Sequence, residues 1–65
     1  MNIIFNVKSK DGYDRFEKEV NEKSFQEEIT KQKEHYKTIA KLDKSITVTA
    51  YTIKNKTVIF FEQLV

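Results

Sequence analysis

Two runs of β-branched and aromatic residues near the C-terminus predict a β-hairpin. The runs span Ser45–Ile53 and Thr57–Val65, and only Lys54-Asn55-Lys56 separates them, which is long enough for a turn. Val, Ile, Thr, Tyr and Phe fit a pleated, half-buried surface, so both runs are typical of strands. Because an isolated hairpin is only marginally stable in water, the rest of the chain must cover it.

The N-terminal segment Asn2–Lys8 predicts another strand. Apolar residues alternate along it onto one face, at Ile3, Phe5 and Val7. Ile4 breaks this alternation and belongs to the opposite face. Asp11-Gly12 follows, and an Asp-Gly pair between apolar segments is a strong turn signal, since glycine adopts a positive φ without steric cost.

The segment Tyr13–Val20 fits two periods. At period two it is a polar edge strand, and at period 3.6 its apolar residues also line one side of a helix. The strand is favoured because the helical phase breaks between Val20 and Phe25. A helix from Asp14 to Lys41 would also be ~42 Å long, far longer than the strands it would cover. The alternative is a strand-helix-strand-strand order with one long helix.

The segment Phe25–Lys41 predicts an amphipathic helix. Ser24 and Glu27 have the spacing of a capping box and stand just before an apolar stripe. The stripe recurs at helical spacing, at Phe25, Ile29, Tyr36, Ile39 and Ala40. Leu42 is expected to close the helix with its apolar side toward the sheet.

These elements predict one α+β domain over residues 1–65, a small single-layer antiparallel sheet in the order strand-strand-helix-strand-strand. One helix covers one face of such a sheet. The last strand, however, is apolar on both sides: Val58, Phe60 and Leu64 are expected to point one way, and Ile59, Phe61 and Val65 the other.

The face without the helix is therefore the predicted partner-binding surface, since contiguous exposed apolar patches mark interaction sites. The residues assigned to it are Tyr51, Ile53, Ile59, Phe61 and Val65. The alternative is that terminal residues fold back over this face.

Size and composition favour the first interpretation. A chain of 65 residues buries only ~60% of its unfolded surface, and without cysteine it has no disulfide to reinforce it. Self-association is the remaining reinforcement, and a two-fold homodimer is the commonest form. A different protein partner would use the same surface, or the edge strand would extend a sheet across the interface. With no apolar run of the ~20 residues that span a bilayer and no signal-peptide pattern, the expected compartment is the cytoplasm.

The residue types give little support to catalysis. There is no cysteine nucleophile, His35 is the only histidine, and one glycine cannot build a phosphate-binding loop. We therefore expect no enzyme, and no metal, cofactor or small-molecule substrate.

The charges suggest an alternative function. The net charge is only +2, but the charges are unevenly distributed along the chain. Between Asp11 and Glu28 there are seven acidic and three basic residues, whereas between Lys31 and Lys44 there are five lysines and two acidic residues. One flank of the helix carries a lysine stripe, formed by Lys33, Lys37, Lys41 and Lys44. With sheet aromatics that stack on bases, this stripe would suit single-stranded nucleic acid. Against it, the glycine-containing signature of RNA-binding sheets is missing.

The sequence thus predicts a small non-enzymatic protein-interaction module, homodimeric through the uncovered sheet face, with nucleic-acid binding as the alternative. Abundant lysine and isoleucine with sparse glycine, alanine and proline are typical of an AT-rich genome. This composition would suit a bacterium with a low GC content, or its phages and plasmids. An accessory or inhibitor protein of such a source would bind a different protein through the same sheet face.

Overall fold

The computed structural model describes all residues 1–65 and contains four strands and one helix. The elements are β1 (Asn2–Ser9), β2 (Gly12–Glu19), α1 (Phe25–Leu42), β3 (Thr47–Lys54) and β4 (Thr57–Gln63). The predicted α+β fold and its element order are confirmed. Residues 13–20 fall almost entirely in β2, so the alternative of one long helix is wrong.

The strands form one antiparallel sheet in the spatial order β2-β1-β3-β4. The two apolar strands β1 and β3 are therefore central, and β2 and β4 are the edges. Each hairpin contributes one central and one edge strand, and α1 connects the two hairpins. With principal extents of 35 × 23 × 15 Å, the molecule is a flat two-layer slab.

The core lies between α1 and one face of the sheet. Its buried members are Ile3, Phe5, Ile29, Val48, Ala50 and Leu64. Phe5 and Phe16, which are paired across β1 and β2, stack with ring centroids 4.8 Å apart. The alternating residues of β1 therefore share the core face, with Ile3 and Phe5 buried and Val7 packed against them.

The C-terminus packs on the helix side of the sheet. Strand β4 ends at Gln63, two residues before the predicted end of the strand. The Leu64 N–H donates to the Val48 carbonyl at 2.8 Å, and Val65 packs against the core cluster. The C-terminal residues consequently do not fold back over the other face.

Both ends of α1 differ from the prediction. Ser24 occupies the N-cap position, but its side chain makes no capping hydrogen bond, so the capping box is not formed. Instead, the Ser24 N–H donates to the Asn21 side-chain oxygen at 2.9 Å. At the other end Leu42 is 89% exposed, so the prediction that it faces the sheet is wrong. It follows the buried Ile29 by more than three turns and lies about 140° around the helix from it.

A β-bulge in β4 changes which residues face the helix. Thr52 pairs with Phe60 and Ile53 pairs with Val58, so Ile59 is the extra residue. An extra residue breaks the strict alternation of a strand. Val58 therefore lies opposite Ile53 on the face without the helix, and the prediction that it shares a side with Phe60 is wrong.

Candidate interaction surface

The face of the sheet opposite α1 carries no second layer. Its central row runs across all four strands, from Glu17 on β2 through Ile4 and Tyr51 to Phe61 on β4. Ile4 is only 7% exposed although it lies on this face, since the longer side chains of its cross-strand neighbours shield it. Phe61, on the edge strand, has neighbours on one side only.

The exposed apolar residues of this face cluster on β3 and β4. Ile53, Val58, Ile59 and Phe61 are between 48% and 63% exposed, and Tyr51 is partly buried beside them. Ile59, at the bulge, lines a cleft together with Ile53 and Met1 at the end of the sheet. We refer to Tyr51, Ile53, Val58, Ile59 and Phe61 as the apolar patch.

The other half of the same face is polar. Arg15 and Glu17 form an ion pair at 3.6 Å in which both side chains are about half exposed. The Tyr13 hydroxyl donates to the Asn6 side-chain oxygen at 2.5 Å, and Glu19 is exposed at the end of β2. These groups are paired within the chain or hydrated, so the β2 side is an ordinary solvent-facing surface.

The molecule is less compact than a typical domain of its mass, because one face of its sheet has no second layer. The accessible surface is 4805 Å², whereas a compact monomer of this mass exposes ~4,300 Å². The radius of gyration is 12.0 Å, against ~11 Å for a compact domain of this length. The excess follows from leaving one side of the sheet uncovered.

The structure brings together most of the residues that were predicted from the sequence. Tyr51, Ile53 and Phe61 lie next to one another on the uncovered face. Ile59 is the extra residue of the bulge and lines a cleft together with Ile53. Val65 lies elsewhere, against the core on the helix side. Sequence reasoning missed Val58, and the run of four apolar residues from 58 to 61 was the only signal that the alternation is irregular.

Of the predicted lysine stripe, Lys33, Lys37 and Lys41 lie on α1, on the other side of the sheet from Tyr51 and Phe61. Lys44 lies in the turn after the helix, so the prediction that it continues the helix flank is wrong. Lys33 is engaged in an ion pair with Glu62 of β4 at 3.1 Å. Lys37, Lys41 and Lys44 are exposed. The structure thus does not bring the lysines and the exposed sheet aromatics into one groove.

Three ionisable groups have perturbed pKa values, and they lie apart from one another. A hydrogen bond from Gln32, with an ion pair to Lys18, lowers the pKa of Glu28. Burial, together with the nearby charge of Asp14, raises the pKa of Tyr36. Hydrogen bonds from Ser45 lower the pKa of Asp43. Each shift has a local structural cause, and none lies on the uncovered face.

No three His, Cys, Asp or Glu side chains converge where they could hold a metal ion, and His35 is exposed beside Tyr36. The helix lacks the length and apolar character that crossing a bilayer requires.

No protein-family model matches this chain, and no curated protein or solved structure is detectably similar to it.

Proposed function

We propose that this protein is a non-enzymatic protein-interaction module that forms a homodimer through the uncovered face of its sheet. The observation that supports the proposal is the apolar patch on β3 and β4. Aromatic and aliphatic side chains without charges are the composition of interface cores. A role as a cytoplasmic accessory or inhibitor protein fits a chain whose exposed apolar surface is its main chemical feature.

The apolar patch can be compared in size with the apolar part of a protein interface. Four side chains that are about half exposed, with part of Tyr51, present on the order of 400 Å² of apolar surface. A standard interface buries about 800 Å² per partner, of which rather more than half is apolar. The patch is therefore large enough for specific association at the lower end of the range.

Sedimentation velocity over a series of protein concentrations tests the proposal. Phe61→Glu places a charge in the centre of the apolar patch and is expected to abolish association without unfolding the chain, since Phe61 is not part of the core. Leu42→Glu is the matched control, because Leu42 is the most exposed apolar residue and lies at the end of α1. A wild-type protein that stays monomeric at the highest concentration, or an equal effect of both variants, would contradict the proposal.

Nucleic-acid binding, the alternative, gains no support from the geometry. Single-strand binders combine stacking aromatics with a basic groove, and here the two lie on opposite sides of the molecule. A mobility-shift assay with single-stranded DNA and RNA at low salt distinguishes the functions, since phosphate binding is strongest there. Retention that disappears in Lys37→Glu, with Phe61→Glu unaffected, would favour nucleic acid.

A further inference from the structure

The charges on the uncovered face restrict how two copies can pack. We propose that the two sheets meet about a two-fold axis parallel to their strands, so that Phe61 of each copy lies over Tyr51 of the other and both β2 strands lie outside the contact. This inference rests on the proposed homodimer and adds which residues meet in it.

Packed sheets whose strands are aligned keep their directions within about 30° of each other. A two-fold axis between two identical faces then runs either across the strands or along them. An axis across the strands places each strand over its own copy, with the direction reversed. An axis along the strands instead places each cross-sheet row over the same row of the second copy.

An axis across the strands brings like charges together. To bury the apolar patch, it must pass between the row of Tyr51 and Phe61 and the row of Ile53 and Val58. On β2 the corresponding positions are Glu17, in the row of Ile4 and Tyr51, and Glu19, two residues further along the strand. Each Glu17 would then face Glu19 of the second copy, twice per dimer.

Such an arrangement is unfavourable for a physical reason. Like charges directly opposite each other are destabilising, and covering a carboxylate without a counter-charge costs more than exposing it. Arg15 already pairs with Glu17 on the outer side, and its row lies away from Glu19. It therefore cannot neutralise four carboxylates at the contact.

An axis along the strands avoids this cost. If it passes through the apolar patch on the β3 and β4 side, the second copy covers that half of the face and β2 remains in solvent. Each Phe61 ring then lies over Tyr51 of the other copy, and Ile53 lies over Val58. Aromatic contacts of this kind contribute beyond the area that they bury.

A charge-rescue experiment distinguishes the two axes. Phe61→Lys and Tyr51→Glu are purified separately, and each is expected to weaken self-association at least tenfold. In an equimolar mixture, the lysine introduced at position 61 meets the glutamate introduced at position 51, while the second contact keeps its natural pair. Sedimentation of the mixture should show heterodimers. Phe61→Lys mixed with Val58→Glu is the matched control, in which an axis along the strands predicts no rescue.

The outcomes separate this inference from the proposed function. Rescue by Tyr51→Glu and not by Val58→Glu supports the axis along the strands. Rescue by Val58→Glu, or by neither variant, overturns the axis along the strands. If the wild type is still a dimer in that case, the proposed function stands. A monomeric wild type overturns both. If a charged variant unfolds, Phe61→Cys mixed with Tyr51→Cys or Val58→Cys and a short bismaleimide gives the same comparison, because the chain has no other cysteine.

Discussion

The ring of Phe25, at the first residue of α1, packs edge-on against the ring of Phe60 in β4, with centroids 4.8 Å apart and ring planes at 88°. The contact joins the start of the helix to an edge strand that is far away in sequence. Lys33 of α1 and Glu62, two residues after Phe60 in β4, join the same two elements by an ion pair. Adjacent residues of β4 consequently have opposite roles, since Phe60 holds the helix and Phe61 faces outward.

Truncating these two neighbours should therefore give different results. Phe60→Ala is expected to lower the free energy of unfolding by about 2 kcal/mol, because it removes a half-buried ring from beside the core. Phe61→Ala should cost less than about 1 kcal/mol when measured at dilute protein, where association contributes nothing. Urea denaturation followed by circular dichroism measures both. Equal losses would show that the faces of β4 are assigned wrongly.

Thr52 is a buried residue whose hydroxyl has no hydrogen-bond partner. It is 1% exposed on the helix side of β3, opposite Phe60. An unpaired buried hydroxyl is destabilising, so Thr52→Val should raise the free energy of unfolding by about 1 kcal/mol. Thr47→Val, at an exposed position of the same strand, is the control and should change stability little. A loss of stability in Thr52→Val would reveal a hydrogen bond in solution.

The turn between β3 and β4 places a lysine in left-handed backbone conformation. Asn55 and Lys56 have φ values of 51° and 63°, as the two-residue hairpin turn requires. Asparagine tolerates this region, whereas lysine does not favour it, so Lys56→Gly should stabilise the protein by about 0.5–1 kcal/mol. Lys54→Gly, in the strand just before the turn, should destabilise it. Thermal unfolding of both variants provides the comparison.

Asp43 links the two loops at one end of the sheet. Its carboxylate accepts hydrogen bonds from the Ser45 N–H and hydroxyl, and the Ser45 hydroxyl oxygen accepts one from the Lys10 N–H at 3.1 Å. These bonds lower the pKa of Asp43 below its ordinary value of 3.8. A depressed folded-state pKa stabilises the fold fully above 3.8, and the contribution disappears as pH falls through the lower, folded-state value.

The stability difference between wild type and Asp43→Ala should accordingly shrink in strong acid. Denaturation at neutral pH and at successively lower pH measures the difference. A difference that persists unchanged below the folded-state pKa would show that the carboxylate charge has no role.

Much of the fold follows from local patterns. Alternation along β1 and helical spacing in α1 each identify an element, because the apolar residues must share one face. Terminal details were less predictable. Ser24 has the right spacing for a capping box, yet its side chain makes no cap, since Asn21 sets the approach of the loop instead. Leu42 is apolar but lies outside the arc of the helix that faces the sheet, so its exposure follows from its helical phase.

The candidate surface was predictable in outline and wrong in one detail of register. An apolar residue at every position from Val58 to Phe61 shows that one helix cannot cover both sides of β4. Which side each residue faces depends on the bulge at Ile59, which moves Val58 to the uncovered face. A bulge arises from the pairing of two strands, so the pattern of one strand does not contain it.

The sequence by itself determined the elements, their order and the presence of a second apolar face, because those depend on periodicity within short segments. Only the tertiary structure decided that β1 and β3 pair at the centre, that β4 is an open edge, and that Val65 belongs to the core. These features depend on contacts between residues far apart in the chain. The tertiary structure also separates the lysines of the helix from Tyr51 and Phe61, since the helix and the uncovered face lie on opposite sides of one sheet.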